Sequence, residues 1–202
     1  MNISPDSEVT LQDATDAHKS AIRAHSDSTH RFHRAALPHI FGPDNGYQHM
    51  LLDAALSADK AQSDGLRSLL RVACRGDVLL GYVLVIWKHP KDSTMPVTAM
   101  VADIGTLVAG RSQGIGALLL ADVKDQMQAQ KWDSLVADVW QDNAASHRLF
   151  AGADFDVERT EYRYGIPAAQ TENAPVTSPQ SRSWIFLLLL IGGGTMLAYF
   201  GR

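Results

Sequence analysis

The chain has 202 residues, which is enough for one domain of ordinary size and an appendage. Its 46% hydrophobic and 20% charged residues are typical of a globular protein, and its formal net charge of -4 argues against a general nucleic-acid binder. The single cysteine, Cys74, cannot form an intrachain disulfide and therefore favours a reducing compartment. Residues 1–15 are polar and acidic and lack the apolar run of a secretory signal.

The first part of the chain predicts one strand followed by two helices. The strand is expected at residues 8–11, and the helices over residues 13–35 and 47–58. Histidines are frequent in the first helix, where His30 and His33 are three residues apart and could share a face. No carboxylate or cysteine pattern accompanies them, so we interpret them as part of a solvated face rather than as a metal site.

The middle of the chain predicts a β-hairpin and then alternating strands and helices. Gly76 and Asp77 form a short turn between two apolar strands. The predicted strands cover residues 66–75, 78–88, 97–108, 134–140 and 155–164, and the predicted helices cover residues 115–130 and 143–151.

A glycine-rich turn joins the strand at residues 97–108 to the next helix. The first N–H groups of a helix have no internal partners, and the helix dipole adds partial positive charge there. Because Gly114 and Gly116 lack side chains, a pyrophosphate could approach this backbone closely, and Arg111 adds a cation. A Walker loop is excluded by the missing Gly-Lys-Ser/Thr, and the single Gly-x-Gly pair is a poor match to a Rossmann fingerprint.

The motifs in this region resemble those of the Gcn5-related N-acetyltransferase (GNAT) superfamily. The turn Arg111-Ser112-Gln113-Gly114-Ile115-Gly116 is similar to that family's coenzyme A motif, Gln/Arg-x-x-Gly-x-Gly/Ala, and residues 103–108 look like its fourth strand. The pattern Val139-x-x-x-Asn143-x-x-Ser146-x-x-Leu149-Phe150 is similar to the family's Val-x-x-x-Asn-x-x-Ala-x-x-Leu-Tyr. The resemblance covers about residues 8–164, with only the order of elements matching in the first 60.

The resemblance implies an α/β fold, with a mixed, mostly antiparallel sheet flanked by helices, that binds acetyl-CoA as co-substrate. Backbone groups of Leu107 and Val108 would pair with the pantetheine arm in a splay beside the fourth strand, and Asn143 would hydrogen-bond the pantetheine region. The pyrophosphate would be held by the N–H groups around Arg111, Ser112, Gln113, Gly114, Ile115 and Gly116. Direct transfer of acetyl to an amine would then need a base for the ammonium and an acid for the thiolate.

The resemblance also points to Asp103 as the catalytic base, because family members commonly carry an acidic residue, often glutamate, at that point of the strand. Asp103 is shorter than glutamate and could act through a water, while a strand-end carboxylate facing solvent is the alternative. Asp138 is a second candidate for the base. Tyr162 and Tyr164 could supply a phenol from the last strand.

Three features depart from the family pattern. Phe150 stands where the family often has a tyrosine as general acid, and a phenyl ring cannot donate a proton. The family's Gly-Phe pair after this helix is replaced by Asp154 and Phe155, and the link at residues 108–110 is short for the family.

The C-terminal part of the chain predicts a membrane anchor. Residues 184–200 carry no charge and reach the short end of the length that spans a bilayer core. Trp184 and Tyr199 are interfacial aromatics at the two ends of this segment, and Arg182 and Arg202 bracket it. A buried core helix is the alternative, although the three glycines within the segment are poor in an isolated soluble helix.

The predicted organisation is therefore a GNAT-like domain at residues 1–167, a flexible linker at residues 168–183 and a transmembrane helix at residues 184–200. The cysteine content and the polar N-terminus favour a domain on the cytoplasmic side of a membrane.

We expect a membrane-tethered N-acetyltransferase that transfers acetyl from acetyl-CoA to a small amine, a protein N-terminus or lysine, or a sugar amine. The alternative is an accessory or assembly subunit of a membrane protein complex with weak or no activity, which the missing tyrosine and the tail favour. Acetyl-CoA, the amine acceptor and membrane lipid are the expected partners, and neither a metal nor a nucleic acid is expected.

Overall fold

The computed structural model describes residues 8–38, 41–57, 65–89 and 94–158. These residues form five β-strands, four α-helices and one short 3-10 helix. The strands are β1 (Thr10–Asp13), β2 (Leu66–Arg75), β3 (Val78–Lys88), β4 (Thr98–Thr106) and β5 (Ser134–Ala137). The α-helices are α1 (Asp16–Ala36), α2 (Gly46–Leu56), α3 (Ile115–Gln130) and α4 (Ala144–Gly152), and the 3-10 helix is Val108–Gly110.

The described strands form one mixed sheet in the order β1-β2-β3-β4-β5. The first four are antiparallel neighbours, and β4 pairs with β5 in parallel. The sequence predicted the hairpin of β2 and β3 with these bounds, and its turn places Gly76 at φ 57°, a left-handed conformation that glycine adopts without steric cost. The predicted α/β class and the mixed, mostly antiparallel sheet are confirmed.

Helices cover both faces of the sheet. Helices α1 and α2 pack on one face, and α3 and α4 pack on the other. The core on the first face includes Ile22, Leu51, Leu52, Ala55, Leu70, Val72, Tyr82, Leu84 and Ile86. The core on the second face includes Val83, Val85, Trp87, Ile115, Leu119, Leu120, Val123, Trp132 and Phe150. Central strand β3 is buried on both faces, which explains its continuous apolar sequence.

One arginine ties the edge strand to the rest of the domain. Arg71 on β2 donates from Nε and Nη2 to the carboxylate of Asp122 on α3, at 2.7 and 2.9 Å. Its Nη1 donates to Asp13 on β1 at 2.8 Å. Because the guanidinium is largely shielded, this fork joins β1, β2 and α3 more firmly than a solvent-exposed ion pair would.

Four predicted strands have other bounds in the structure, and the first of them, predicted at residues 8–11, is Thr10–Asp13. The strand predicted at residues 97–108 stops at Thr106, because the Gly110 N–H donates to the Leu107 carbonyl at 2.9 Å and closes the 3-10 turn. The strand predicted at residues 134–140 stops at Ala137, and the chain then turns toward α4. Of the strand predicted at residues 155–164, the described residues 155–158 are not in a strand, and the rest lie outside the described residues.

The predicted linker and the predicted transmembrane helix at residues 184–200 also lie outside the described residues. Within the part of the chain that is described, no helix combines the length and the apolarity needed to cross a membrane.

Candidate active site

The sheet opens between β4 and β5. These strands pair only where Thr98 to Val101 lie opposite Ser134 to Ala137, whereas β4 continues to Thr106. Residues 102–106 of β4, which we call the β4 opening, therefore present a backbone edge that β5 does not cover. Backbone N–H and C=O groups on such an edge need partners. An extended ligand could supply them by lying along β4.

A β-bulge at Ala102 marks the start of the β4 opening. Bulges bend a strand and re-aim the side chains beside them. Beyond this bulge, Asp103 lies opposite Leu84 and Gly105 lies opposite Tyr82 on β3. Because Tyr82 and Leu84 pack against α1 and α2, Asp103 and Gly105 face these helices too.

Asp103 is enclosed by β3 and α1. Tyr82 donates from Oη to Asp103 Oδ2 at 2.9 Å, and the side chain of Ser26 on α1 also hydrogen-bonds this carboxylate. Burial raises the pKa of Asp103, although both hydrogen bonds and the nearby His25 oppose the rise. Burial and the Asp103 charge also raise the pKa of Tyr82, which keeps its phenol protonated and able to donate.

A small cavity lies beside the Asp103 carboxylate. Its volume of about 10 Å³ leaves room for roughly one water molecule. Its polar lining residues are Ser26, Gln48, His49, Tyr82 and Asp103, which are more than the two to four partners that a buried water needs. The cavity therefore fits the expectation that Asp103 could act through a water.

A polar network between α1 and α2 extends from this cavity. Asn45 donates from Nδ2 to Ser26 Oγ at 3.1 Å and to Asp27 Oδ1 at 3.2 Å. His49 Nε2 lies 2.7 Å from the same Asp27 oxygen. Desolvation works against ionisation of Asp27, but the hydrogen bonds from Asn45 and His49 outweigh it and lower the pKa of the Asp27 carboxyl.

His25 covers the β4 opening from the α1 side. Its ring atoms Cδ2 and Nε2 lie 2.6 and 2.7 Å from the point where a Cβ on Gly105 would stand. The ring also meets Tyr82 edge-on, with centroids 5.9 Å apart. Burial lowers the pKa of His25 and Arg111 adds to this effect, while Asp103 opposes it. The imidazole can lie here only because residue 105 is glycine.

Further along α1, aromatic contacts form one wall at the open end of the site. His33 stacks on Phe41 at 5.4 Å, and Phe41 meets Trp140 edge-on at 5.4 Å. The Nε2 atom of His30 lies 3.0 Å from the Gly42 carbonyl. The expectation of a solvated face for His30 and His33 is therefore only partly correct. We call His33, Phe41 and Trp140 the aromatic rim.

The glycine-rich turn adopts the shape that its sequence predicted. Gly114 at φ 72° caps α3, and Ser112 at φ 59° also has a left-handed conformation. Arg111 and Ser112 are exposed. Helix α3 begins at Ile115. The N–H groups of Ile115 and Gly116 lie in its first turn, where no earlier turn of helix supplies carbonyl acceptors. The turn thus offers several backbone donors and one cation to an anion.

Two side chains brace this turn. Gln113 donates from Nε2 to the Ala109 carbonyl at 2.6 Å, and its Oε1 accepts from Arg75 Nη2 at 2.8 Å. Gly110 packs directly on Leu80, where a Cβ would collide with the Leu80 carbonyl oxygen. The backbone donors of the turn are therefore held in place before a ligand binds.

Of the two residues predicted to pair with pantetheine, Leu107 already has backbone partners. Its N–H donates to the Leu80 carbonyl on the β3 side at 2.8 Å, and its carbonyl accepts from Gly110. Val108 begins the 3-10 helix, and its carbonyl accepts from the Arg111 N–H at 3.4 Å. The pantetheine contacts of Leu107 and Val108 stay predictions.

Helix α4 follows β5 and packs on the start of α3. Asn143 caps this helix by accepting from the Ser146 N–H at 3.1 Å. Leu149 packs 3.1 Å from the Cβ position of Gly116, so the small residue brings α4 close to the start of α3. Phe150 is 8% exposed and packs edge-on against Phe155, with centroids 5.1 Å apart. Phe150 belongs to the core and offers no proton.

The structure places two of the predicted site elements, Asp103 and the glycine-rich turn, at opposite ends of the β4 opening. Asp103 lies at its start and the turn of residues 111–116 follows its end, while Asn143 caps α4, which packs on the start of α3. Asp138 follows directly after β5, and Tyr162 and Tyr164 lie outside the described residues. The sequence did not single out His25, Ser26 or Tyr82, which surround Asp103.

The model of the acetyltransferase (GNAT) family matches residues 29–155 of this chain. No curated protein matches the chain significantly. Several solved structures have the same fold. One is the aminoglycoside N-acetyltransferase AAC(6')-Iy in complex with CoA, which is 15% identical with a TM-score of 0.56, over 81% of this chain and 99% of the other.

Two further structures are similar. A ribosomal-protein-alanine N-acetyltransferase from Brucella melitensis biovar Abortus 2308 is 19% identical, with a TM-score of 0.53 over 79% of this chain and 100% of the other. A mutant of the BH1408 protein from Bacillus halodurans is 17% identical, with a TM-score of 0.64 over 78% of this chain and 99% of the other. At these identities the likeness concerns the fold.

Proposed function

Because the chain belongs to the acetyltransferase (GNAT) family and is an acetyl-CoA-dependent N-acetyltransferase, we propose that acetyl transfer takes place at the β4 opening. The observation that carries this proposal is the early end of the β4–β5 pairing. It leaves a free strand edge along which an extended acyl-pantetheine chain could lie. Asp103 stands at one end of this edge, and the glycine-rich turn follows the other end. The acceptor amine would meet the thioester beside the bulge.

The glycine-rich turn is the proposed pyrophosphate site. Negative charge is favoured at a helix N-terminus, and the N–H groups of Gly114 to Gly116 can donate to phosphate oxygens. Arg111 adds a charge-assisted hydrogen bond from an exposed position. Because Gln113 and Arg75 brace the loop, little ordering entropy is lost when the phosphates bind.

Acyl transfer at this site requires the acceptor to be a free amine. The amine nitrogen attacks the thioester carbonyl carbon, the carbon–sulfur bond breaks, and a proton passes from nitrogen to sulfur. Asp103 remains our candidate for the base that the sequence predicted, and the adjacent cavity could hold the intervening water. Phe150 cannot protonate the thiolate, so the proton for sulfur must come from another group.

The aromatic rim is the proposed entrance for the acceptor. His33, Phe41 and Trp140 bring α1, the following loop and the segment after β5 together at the open end of the site. Trp140 is 37% exposed and can receive the apolar part of an amine or the ammonium itself. A small amine, a protein N-terminus or lysine, and a sugar amine remain the acceptor classes to be tested.

Calorimetric titration of the full-length protein with acetyl-CoA tests this function. We expect saturable binding, followed by release of CoA thiol when an amine panel is added. The panel contains a polyamine, an N-terminal alanyl peptide, a lysine peptide and an aminoglycoside. No binding at millimolar acetyl-CoA would refute the proposal. Binding without turnover, together with co-purification in a defined membrane complex, would favour the accessory-subunit alternative.

We also propose that residues 184–200 anchor the domain to a membrane, with residues 168–183 as the tether and the domain on the cytoplasmic side. The uncharged run and its aromatic and basic ends support this proposal. Membrane fractionation of the full chain and of a chain ending at Pro167 tests it. The full chain should sediment with membranes and the shortened chain should not; sedimentation of both would contradict it.

A further inference from the structure

Helix α1 places a second proton acceptor, His25, beside the β4 opening. On α1, Ile22, His25 and Ser26 share the face that packs toward the sheet. Ile22 and Ser26 are buried, whereas His25 reaches the surface of the opening and is only partly buried. His25 is therefore a basic side chain on the sheet-facing side of α1 that a ligand in the β4 opening could contact.

The position of the imidazole is fixed from several sides. Gly105 lies directly beneath ring atoms Cδ2 and Nε2, and Tyr82 supports the ring edge-on. Gly105 lies in the half of β4 that β5 leaves uncovered, so the Nε2 edge of the ring borders the proposed thioester site. Rigid supports of this kind limit the motion of a reacting group.

The charged groups around His25 have opposite effects on its protonation. Burial and Arg111 disfavour the imidazolium and lower the pKa of His25 below 6.5, which leaves a neutral ring at neutral pH. Asp103, on the same face of β4 two residues before Gly105, attracts the imidazolium once it forms. Tyr82 and Ser26 hold the Asp103 carboxylate from behind.

We infer that His25 is the catalytic proton shuttle of the acetyl transfer, an inference that rests on the proposed function of the β4 opening. His25 takes the proton from the attacking amine nitrogen as the nitrogen–carbon bond forms. When the carbon–sulfur bond breaks, the imidazolium returns this proton to the departing thiolate. Nitrogen loses one proton, sulfur gains one, and His25 ends neutral. If the amine binds as an ammonium, its other proton leaves to solvent first.

This role explains two features that a base at Asp103 leaves open. Residue 150 is a phenylalanine, which cannot act as an acid. A histidine that first accepts a proton from the amine and then donates it to the thiolate makes a separate acid unnecessary. Asp103 already accepts hydrogen bonds from Tyr82 and Ser26, so its geometry suits a fixed counter-charge. Asp103 is then a positioning residue that acts through His25, and it takes the place of a counter-charge instead of the direct base that the sequence predicted.

The test compares His25→Gln with His89→Gln in the full-length protein. Glutamine keeps a polar side chain of similar length but has no basic nitrogen. His89 is exposed just past β3, at the end of the sheet far from Gly105. For each protein we would measure acetyl-CoA affinity by calorimetry and the dependence of kcat on pH, from about pH 5 to about pH 9, with the best amine of the panel.

We expect His25→Gln to lower kcat by about 100-fold or more while acetyl-CoA affinity stays within about 2-fold. The wild-type protein should lose activity on the acid side with an apparent pKa below 6.5, and the variant should lack this acid limb. Imidazole in the buffer should partly restore a His25→Ala variant, which a purely structural role would not predict. A kcat within about 3-fold of wild type, with the acid limb retained, would overturn the inference.

A second measurement needs no acceptor. Resonances of the His25 ring in isotope-labelled protein are followed by NMR with CoA and with desulfo-CoA. The inference predicts that the two ligands give different His25 titrations, because only CoA places sulfur beside the ring. Identical titrations with both bound ligands would overturn it. Failure of the wild-type protein to bind acetyl-CoA would instead refute the proposed function.

Discussion

The two halves of β4 differ although they form one continuous strand. In the first half, Ala99, Met100 and Val101 are paired on both sides and buried, while Thr98 pairs with β5 alone. The second half begins with a bulge, pairs on one side only, and carries an aspartate and a glycine on its inner face. The first half fixes the strand, and the second half can therefore present reactive groups at a defined position.

The largest effect is expected from filling the space beneath the imidazole. A Cβ at Gly105 would lie 2.6 Å from His25 and 2.7 Å from Tyr82, and neither ring can yield by bending. Gly105→Ala should lower kcat by about 100-fold and destabilise the protein by about 1–3 kcal/mol. Steady-state kinetics and thermal unfolding measure both effects.

The matched control is Gly152→Ala, where an added Cβ meets nothing within 4 Å at the end of α4. Its kcat should equal that of the wild type. If Gly105→Ala also has the activity and the stability of the wild type, the described packing of His25 on β4 is wrong.

A smaller effect is expected at the far end of the opening. Arg111→Ala should weaken acetyl-CoA binding by about 10-fold, which corresponds to about 1.4 kcal/mol for a lost charge-assisted hydrogen bond. Because Arg111 also lowers the pKa of His25, the acid limb of kcat should move to higher pH in this variant. Calorimetry and the pH profile give the two readouts.

Arg67→Ala serves as the control for Arg111→Ala, since Arg67 is exposed on β2 opposite Trp87, at the closed end of the sheet. If the two variants bind acetyl-CoA with equal affinity, Arg111 does not contact the bound acetyl-CoA.

The smallest effect is expected from replacing Asp103. This substitution should raise the stability of the fold, whereas Gly105→Ala should lower it. Burial raises the pKa of this carboxyl above 3.8, so the folded protein binds more protons than the unfolded chain between 3.8 and the raised value. Stability from this group is present below pH 3.8 and is lost as pH rises through the folded-state pKa. Asp103→Asn should therefore gain about 1 kcal/mol at neutral pH while kcat falls.

Denaturant unfolding at several pH values measures this gain. The difference between Asp103→Asn and the wild type should grow with pH and then level off. A variant that is less stable than the wild type at neutral pH would show that the carboxylate stabilises the fold.

Much of the fold could be predicted from local sequence. The hairpin of β2 and β3 has apolar strands around a glycine turn, and the start of α3 has a glycine cap, so short-range rules suffice there. The ends of β4 and β5 were predicted too long, because apolar character continues past the point where the strands separate. Where two strands part depends on a bulge and on packing between distant elements, which periodicity does not record.

The site could be predicted only in part. Asp103 and the turn at residues 111–116 lie in motifs that are contiguous in sequence. His25, Ser26 and Tyr82 reach Asp103 from two other elements, about 20 and 80 residues away in the chain. The spacing of Ile22 and Ser26 does indicate an inner face on α1, but only the fold shows what that face covers.

The placement of the tryptophans has a spectroscopic consequence. Trp87 and Trp132 are buried together in the core, with ring centroids 4.9 Å apart, whereas Trp140 stands half open beside Phe41. Buried and hydrated indoles emit at different wavelengths, so one spectrum reports on the interior and on the mouth of the site separately. In a chain that ends at Pro167, and so lacks Trp184, the Trp87–Trp132 pair serves as an internal reference once Trp140 is replaced by phenylalanine. The emission lost in that variant is the optical signal of ligand entry.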